Sequence, residues 1–424
     1  MTTIIDTPRH SCALGGALST INAIDGLIPI IHGGPGCGGQ VFYGQNFTSG
    51  YRGSGALGGV SIPSTNTYEK EVVFGGEDRL REQIRTTLEL MRGDTYIVLT
   101  GCTTELIGDD VKAIVQEYKD PKKRVIFAET PGFKGGTNEG YEIVLHALID
   151  QLARETPRIP NRVNLLGIVP SQDVFWEGDL SEIERVLTSL GLEVNTLFNG
   201  IPIDEIGAAA LNIVLSPWVG VPVADRLKER FGTPYIINPL PIGTIDTNAF
   251  LSRVGSTLNL DPTKVIQREE ERVFRYIERV ADFIVDFDVQ LHFATVSEAN
   301  YAIALNRFLV GELGWIPSVA AVTDQVPEEY RTSIGTALKL GEGLDPKIIY
   351  ESDSGTIWDA IEKEKLDFVL GSSLDKDVAE RIGAWRLSVS FPVTDRVVLD
   401  RGYAGYLGAI TLIEDILSAI VARF

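Results

Sequence analysis

Three residues stand out for the chemistry they could do: Cys12, Cys37 and Cys102, the only cysteines in the chain and all in its first quarter. Cys37 lies at the end of an apolar run, in a post-strand loop Ile30-Ile31-His32-Gly33-Gly34-Pro35-Gly36-Cys37-Gly38-Gly39, with a helical pattern after it. Glycine lets backbone approach a bulky ligand, and exposed N–H groups at such a turn suit an anionic guest. Cys102 follows a second apolar run, Tyr96-Ile97-Val98-Leu99-Thr100-Gly101, and Thr103 and Thr104 are expected to cap the helix after it. Cys12, in His10-Ser11-Cys12-Ala13-Leu14-Gly15-Gly16, opens a third helical pattern. A thiol at a helix N-terminus has a lowered pKa, which makes it a better metal ligand.

Buried structural cysteines usually sit within strands or helices, whereas these three occupy turns beside small residues. Iron–sulfur clusters are typically held by four thiolates. Three is one short, so a cluster here needs a non-cysteine ligand or sulfurs from a second chain. The second option predicts an obligate oligomer with the cluster at its interface. The stretch from Gly26 to Tyr68 suits such an interface, because Arg52 is its only formally charged residue. Zinc fits less well, since the intervals of 25 and 65 residues between the cysteines are unlike the short C-x₂₋₄-C spacing of zinc knuckles. Of the four histidines, none is spaced as a partner for a catalytic Ser or Cys. His10 and His32 lie near the thiols and could support them, whereas His146 on an apolar helix reads as a core or surface residue. Two G-x-G-x-x-G matches, Gly34–Gly39 and Gly53–Gly58, lack the acidic residue that a dinucleotide ribose needs, because no Asp or Glu lies between Asp25 and Glu69.

The elements that must position these thiols repeat one pattern: an apolar run, a Gly/Pro/Ser turn, an amphipathic helix. Expected strands are Leu27–His32, Tyr96–Thr100, Arg124–Ala128, Val163–Val169, Leu211–Leu215, Tyr235–Ile237, Val289–Thr295, Val319–Val322, Lys347–Tyr350, Asp367–Leu370 and Leu387–Phe391. Most are continuously apolar, which indicates strands covered on both faces. Helical patterns such as Glu77–Arg92, Asp109–Lys119, Leu180–Leu190 and Ser297–Leu313 lie between them, so the chain reads as α/β with parallel sheets. Breaks at Ala153–Arg162 and near Asp282–Asp288 divide it into three α/β domains, 1–158, 159–288 and 289–424. Gly408–Phe424 reads as a closing C-terminal helix. The balance of 38 Lys+Arg against 58 Asp+Glu gives a net charge of −20, which argues against nucleic acid and anionic membrane surfaces as partners. No bilayer-spanning run and no signal peptide are legible, so a cytoplasmic protein is expected.

Several of these segments resemble the nitrogenase component 1 family. They are Gly33-Gly34-Pro35-Gly36-Cys37, Glu69-Lys70-Glu71-Val72-Val73-Phe74-Gly75-Gly76, Cys102-Thr103-Thr104-Glu105-Leu106-Ile107-Gly108-Asp109-Asp110, Glu129-Thr130-Pro131-Gly132-Phe133, Ser216-Pro217-Trp218, Phe391-Pro392-Val393-Thr394-Asp395-Arg396 and Gly405-Tyr406-Leu407-Gly408. The resemblance spans nearly the whole chain and implies three doubly wound parallel-sheet domains. It also implies that Cys12, Cys37 and Cys102 bind an [8Fe-7S] P-cluster shared with a related α-type chain in an α₂β₂ complex. The cofactor-bearing subunit of the family has a later cysteine and a histidine near its C-terminus. This chain has no cysteine after Cys102 and no histidine after His292, so it resembles the electron-relaying β-type subunit.

Phe74 matches the aromatic at the docking surface for an ATP-dependent iron protein. The alternative is a core Phe at a strand end, but Gly75-Gly76 would leave the ring little cover. Some β-type subunits carry a serine that ligates the oxidised cluster; here Gly135-Gly136-Thr137 stands in its place. The family's molybdenum β subunits also have a long N-terminal extension that this chain lacks. These departures point to a nitrogenase-like reductase, with methylthio-alkane reductase the expected member. The rivals are a true nitrogenase β subunit, a tetrapyrrole reductase subunit with a [4Fe-4S] cluster, and a non-catalytic cofactor-assembly scaffold.

Overall fold

A computed structural model describes residues 9–51, 62–286 and 290–422. Arg52, the Gly53–Gly58 motif, Val289 and the final Phe424 lie outside the described residues. Within them are twelve strands in three sheets. The first holds β1 (Leu27–His32), β2 (Thr95–Thr100) and β3 (Arg124–Ala128), in that order. The second holds β4 (Ile159–Leu166), β5 (Glu193–Asn195), β6 (Ala209–Val214) and β7 (Tyr235–Ile237), in the order β5-β4-β6-β7. The third holds β8 (His292–Ser297), β9 (Ile316–Val322), β10 (Lys347–Tyr350), β11 (Phe368–Gly371) and β12 (Trp385–Ser388), in the order β10-β9-β8-β11-β12. Every paired strand is parallel. The order reverses between β4 and β6 and between β8 and β11, the switch points at which such sheets leave a crevice.

The apolar runs are strands because both faces of each sheet are covered. All six residues of β2 are buried. Tyr96 and Val98 join one core with Leu80 and Ile84 of the helix Glu77–Leu90, while Ile97 and Leu99 join another with Leu14 and Leu18 of the helix Ala13–Asn22. That two-sided burial erases the alternation a one-sided sheet would show. The C-terminal helix Gly405–Val421 packs back against the helices Trp176–Thr188, Gly243–Leu258 and Thr263–Ile277, burying Leu412, Ile416 and Ile420.

Several boundaries differ from the sequence expectation. β4 starts and ends earlier than Val163–Val169, and β12 ends at Ser388. The short β5 has a single apolar residue, Val194, between Glu193 and Asn195, so it carries no apolar run to be seen in sequence. The helix expected over Asp109–Lys119 shrinks to Val111–Val115, because the Asp110 carboxylate caps it by accepting the Ala113 N–H at 2.9 Å. Among the described residues no helix is long and apolar enough to cross a membrane.

Where the second and third sheets meet, carboxyl groups are buried together. Burial pushes Glu298 well above the usual carboxylate range, and the charges of Asp173 and Asp324 add to it. Burial likewise pushes Asp324 up to about 6 and Glu142 up to about 7. A raised acid contributes stability that is full below its unfolded pKa and is lost as pH rises through its folded pKa. Glu298→Gln, a neutral isostere, is therefore expected to stabilise the fold by about 1–3 kcal/mol near pH 8, the cost of an imperfectly paired buried group, and by much less near pH 5. Urea midpoints at the two pH values check this; equal gains at both would refute it.

Candidate metal centre

Each cysteine is brought to one face by a different element. Cys12 is the N-cap of the helix Ala13–Asn22 and forms an isolated bridge with Gly136. That placement depends on the close crossing of this helix with the helix Thr137–Gln151. A Cβ on Gly16 would run into the Thr137 carbonyl oxygen, and one on Gly140 into that of Ala13. Cys37 lies not in a loop but in the first turn of the helix Pro35–Thr48, with Pro35 at its first position and Gly34 as N-cap. Cys102 is the first residue of the helix Cys102–Ile107, whose N-cap Gly101 offers no side chain. Thr104 does not cap that helix as expected: its hydroxyl donates to the carbonyls of His32 (2.6 Å) and Gly101 (3.2 Å).

Two of the thiols, those of Cys12 and Cys102, meet beside Gly132. A Cβ built there would stand 3.2 Å from the Cys102 Sγ, 3.2 Å from the Cys12 Cβ and 3.6 Å from the Cys12 Sγ. The Gly132 N–H donates to the Cys102 Sγ at 3.1 Å. The loop that carries Gly132 is tied to β2 by Thr130, whose N–H donates to the Thr100 hydroxyl and whose own hydroxyl donates to the Thr100 carbonyl. Cys37 is within electrostatic reach of both partners. Burial pushes its thiol up, and negative charge on Cys12 and Cys102 pushes it further. Burial thus outweighs the helix terminus at this cysteine, and a bound cation would be needed to hold it as thiolate.

The surroundings leave room for a large group. Cβ atoms on Gly34, Gly36 and Gly39 would meet nothing within 4 Å, whereas Gly33 and Gly101 pack backbone to backbone behind them. Cys12 and Cys102 are exposed, Cys37 is intermediate, and all three are free. Among the described residues no group of three or more His, Cys, Asp or Glu is close enough to grip a single metal ion. Three free sulfurs too far apart for one ion, beside open glycine backbone, suit a polynuclear, thiolate-held group better than a single metal.

The other expected residues fall as follows. Phe74 ends a helix, Glu69–Phe74, rather than a strand, and its ring is 81% exposed. The Thr137 hydroxyl is engaged by the backbone of Ser11, accepting its N–H at 2.8 Å and donating to its carbonyl at 3.3 Å. His10 lies between the Ser11 carbonyl and Gln325. His32 is wholly buried and bonded to Thr65 and Asp109. His146 is half-buried on its helix, and burial lowers its pKa.

Sequence reasoning missed Arg9. Its guanidinium, fully buried, reaches the carboxyl end of the third sheet and pairs with Asp375 at 2.7 Å, Ser372 at 2.8 Å and Ser354 at 3.1 Å. Its carbonyl accepts from Gln172. This anchors the segment three residues before Cys12. The only sequence signal was polar residues directly after predicted strands.

Comparison with known proteins agrees with this geometry. The family model described as nitrogenase component 1 type oxidoreductase matches residues 12–421. The nitrogenase molybdenum-iron protein beta chain of Methanococcus maripaludis is 25% identical, over 100% of this chain and 96% of its own length. The vanadium-iron protein beta chain of Trichormus variabilis is also 25% identical, over 98% and 94%. A subunit of the light-independent protochlorophyllide reductase of Bradyrhizobium sp. is 27% identical, over 78% and 65%. The solved structure titled nitrogenase Cp1 at pH 6.5 superposes with a TM-score of 0.84 at 20% identity, covering 100% of this chain and 94% of the other, which establishes the fold. With three sheets of parallel strands and a family match over residues 12–421, the protein belongs to the nitrogenase component 1 family of oxidoreductases.

Proposed function

We propose that this chain is the β-type, electron-relaying subunit of a nitrogenase-like reductase. Cys12, Cys37 and Cys102 would hold half of an [8Fe-7S] cluster, and a homologous α-type chain would supply the remaining thiolates within an α₂β₂ complex. When bound, such a cluster supplies one-electron transfer between an ATP-dependent iron protein and the cofactor carried by the α-type chain. The observation that carries this reading is that Cys12 and Cys102, from separate helix starts, meet beside Gly132 while Cys37, from a third, lies within electrostatic reach of both on open glycine-bearing backbone.

Large apolar side chains near the thiols support a partner chain there. Leu106 on the Cys102 helix is 76% exposed, and Phe133 beside Gly132 is 59% exposed. Phe47 and Tyr51, at the far end of the Cys37 helix, are exposed as well. Exposed apolar surface of this kind marks an interaction site. Val73 and Phe74 form a second exposed apolar tip and are the proposed contact for the iron protein. For the substrate we favour C–S bond cleavage by a methylthio-alkane reductase; the equal and low identity to molybdenum and vanadium β chains supports only a nitrogenase-like chain that departs from both. The similarity to a protochlorophyllide reductase supports a second reading, a tetrapyrrole reductase with a [4Fe-4S] cluster.

An iron and acid-labile sulfide count on the anaerobically co-purified complex tests the assignment. Eight irons per αβ pair beyond those of the α-type chain's own cofactor support it, four favour the tetrapyrrole reading, and a colourless iron-free monomer overturns both. Failure to accept electrons from an iron protein with ATP would indicate a scaffold instead. Activity on a methylthio-alkane, compared with dinitrogen reduction, tests the substrate. Gly132→Ala offers a finer check. Its methyl group would press on Cys102 and Cys12 while changing the fold's stability by no more than about 0.5 kcal/mol, as for most surface substitutions. Iron content is expected to fall by at least half with an unchanged urea midpoint; full iron occupancy would show that the space beside Gly132 is not the cluster site.

A further inference from the structure

Behind the thiol face runs a buried chain of hydrogen bonds that the proposed function does not use. The Thr65 hydroxyl donates to His32 Nδ1 at 3.1 Å, and His32 Nε2 donates to Asp109 Oδ2 at 2.9 Å. The Gly76 N–H donates to both Asp109 oxygens, at 2.9 and 3.1 Å. Burial holds His32 below its ordinary pKa even though Asp109 pulls the other way, so the ring is neutral and these partners assign its tautomer. The order hydroxyl, imidazole, carboxylate imitates a nucleophilic triad. Thr65 and His32 are completely buried, however, and the Thr65 oxygen accepts the Gly33 N–H at 3.0 Å. No substrate can reach this hydroxyl, so the chain positions backbone.

What it positions is specific. His32 ends β1 and leads directly into Gly33, Gly34 and the Cys37 helix. Its carbonyl also accepts the Gly101 N–H at 2.8 Å and the Thr104 hydroxyl, which pins the start of the Cys102 helix. Asp109 follows that same helix, after the left-handed turn at Gly108. Gly76 follows the helix that ends in Phe74, after a second positive-φ turn at Gly75. The fit is tight, because a Cβ on Gly76 would stand 2.6 Å from Asp109 Oδ2 and 2.9 Å from the His32 ring. One imidazole and one carboxylate therefore join the exposed Phe74 tip to two of the three thiol-bearing elements.

We propose that Asp109 and His32 are positioning residues that couple the Phe74 surface to the Cys37 and Cys102 elements, so that a protein docking on Phe74 moves the sulfurs. This rests on the functional reading above for the identity of the docking protein. The link itself is a property of the chain.

The test compares Asp109→Ala with Asp109→Asn in the co-purified complex. In Asp109→Asn the amide oxygen keeps the Gly76 N–H and the amide nitrogen donates to His32 Nε2. The ring then carries its proton on Nδ1 and donates to Thr65, so the chain survives with its direction reversed. Amide hydrogen exchange over Glu69–Gly76 is expected to speed up about tenfold in Asp109→Ala and to stay near wild type in Asp109→Asn. Electron delivery from an iron protein should slow about tenfold, and the cluster's paramagnetic resonance signal should change, in the alanine variant alone. If Asp109→Ala does not fold, Thr65→Val against Thr65→Ser repeats the comparison from the other end of the chain.

An alanine variant with wild-type exchange and electron delivery overturns the proposal. So does an asparagine variant as impaired as the alanine one, since charge rather than connectivity would then be responsible. Phe74→Ala in the otherwise intact complex separates the two readings. If it leaves iron-protein binding unchanged, the docking assignment fails, while the exchange data still decide the link.

Discussion

Cys37→Ala is expected to abolish the proposed interfacial cluster, with that cluster's iron and sulfide lost from the purified complex and its resonance signal vanishing. Cys37 is the central test because it is the least exposed of the three thiols and the one whose pKa is raised. A thiol held protonated by burial is a poor ligand until a cation compensates, so cluster binding here is coupled to release of a proton. Loss of the sulfur leaves a half-buried methyl group among apolar neighbours, which should cost the isolated chain no more than about 1 kcal/mol. The expected pattern is loss of the cluster's iron with little change in the urea midpoint of the chain. Cys12→Ala and Cys102→Ala should follow it. An unchanged cluster signal in Cys37→Ala would defeat the ligand assignment.

The second large effect lies away from the metal. Arg9→Met is expected to destabilise the fold by about 3–5 kcal/mol, the usual cost of leaving one member of a buried ion pair uncompensated. Burial alone would raise Asp375, but Arg9 overrides it and, with the Ser372 N–H and the Trp358 indole, holds the carboxylate below its ordinary range. A depressed acid contributes stability that is present above its unfolded pKa and is lost as pH falls through its folded one. The loss in Arg9→Met should therefore be largest at high pH and should shrink as pH falls, beginning above the ordinary carboxylate pKa of about 4, because without Arg9 burial raises Asp375 and it takes up a proton earlier. The double variant Arg9→Met with Asp375→Asn should recover part of the loss, because no buried charge remains. Denaturant midpoints across pH read out both. Because Arg9 anchors the segment that leads to Cys12, Arg9→Met should also lower iron content; normal iron with lost stability would show that the anchor does not set the thiol.

How much of this could be read beforehand depended on how local each signal was. The strands were legible because two-sided burial demands unbroken apolar runs, and β1, β7 and β10 have the expected limits. β5 was not, since Val194 is its only apolar residue, whereas the equally short β7 is apolar throughout. Helix ends set by a single cap shifted by a few residues, as at Asp110. Phe74 was expected to lack cover, and it does; that it ends a helix rather than a strand was not anticipated.

The site divides in the same way. Residue types and turn context by themselves singled out Cys12, Cys37 and Cys102, because glycine and helix starts are written within a few positions of each thiol. The order of residues also determined that three sulfurs are too few to complete a cluster. Only the tertiary structure decided that Cys12 and Cys102 meet beside Gly132, that the Thr137 hydroxyl is bound to Ser11, and that Arg9 crosses to Asp375. It alone closed the chain from Thr65 through His32 to Asp109. Those partners are 33, 77 and 366 residues apart, and no local preference encodes them. They exist because the packing of sheets and helices buries polar groups that must then find a hydrogen-bond partner wherever the fold has placed one.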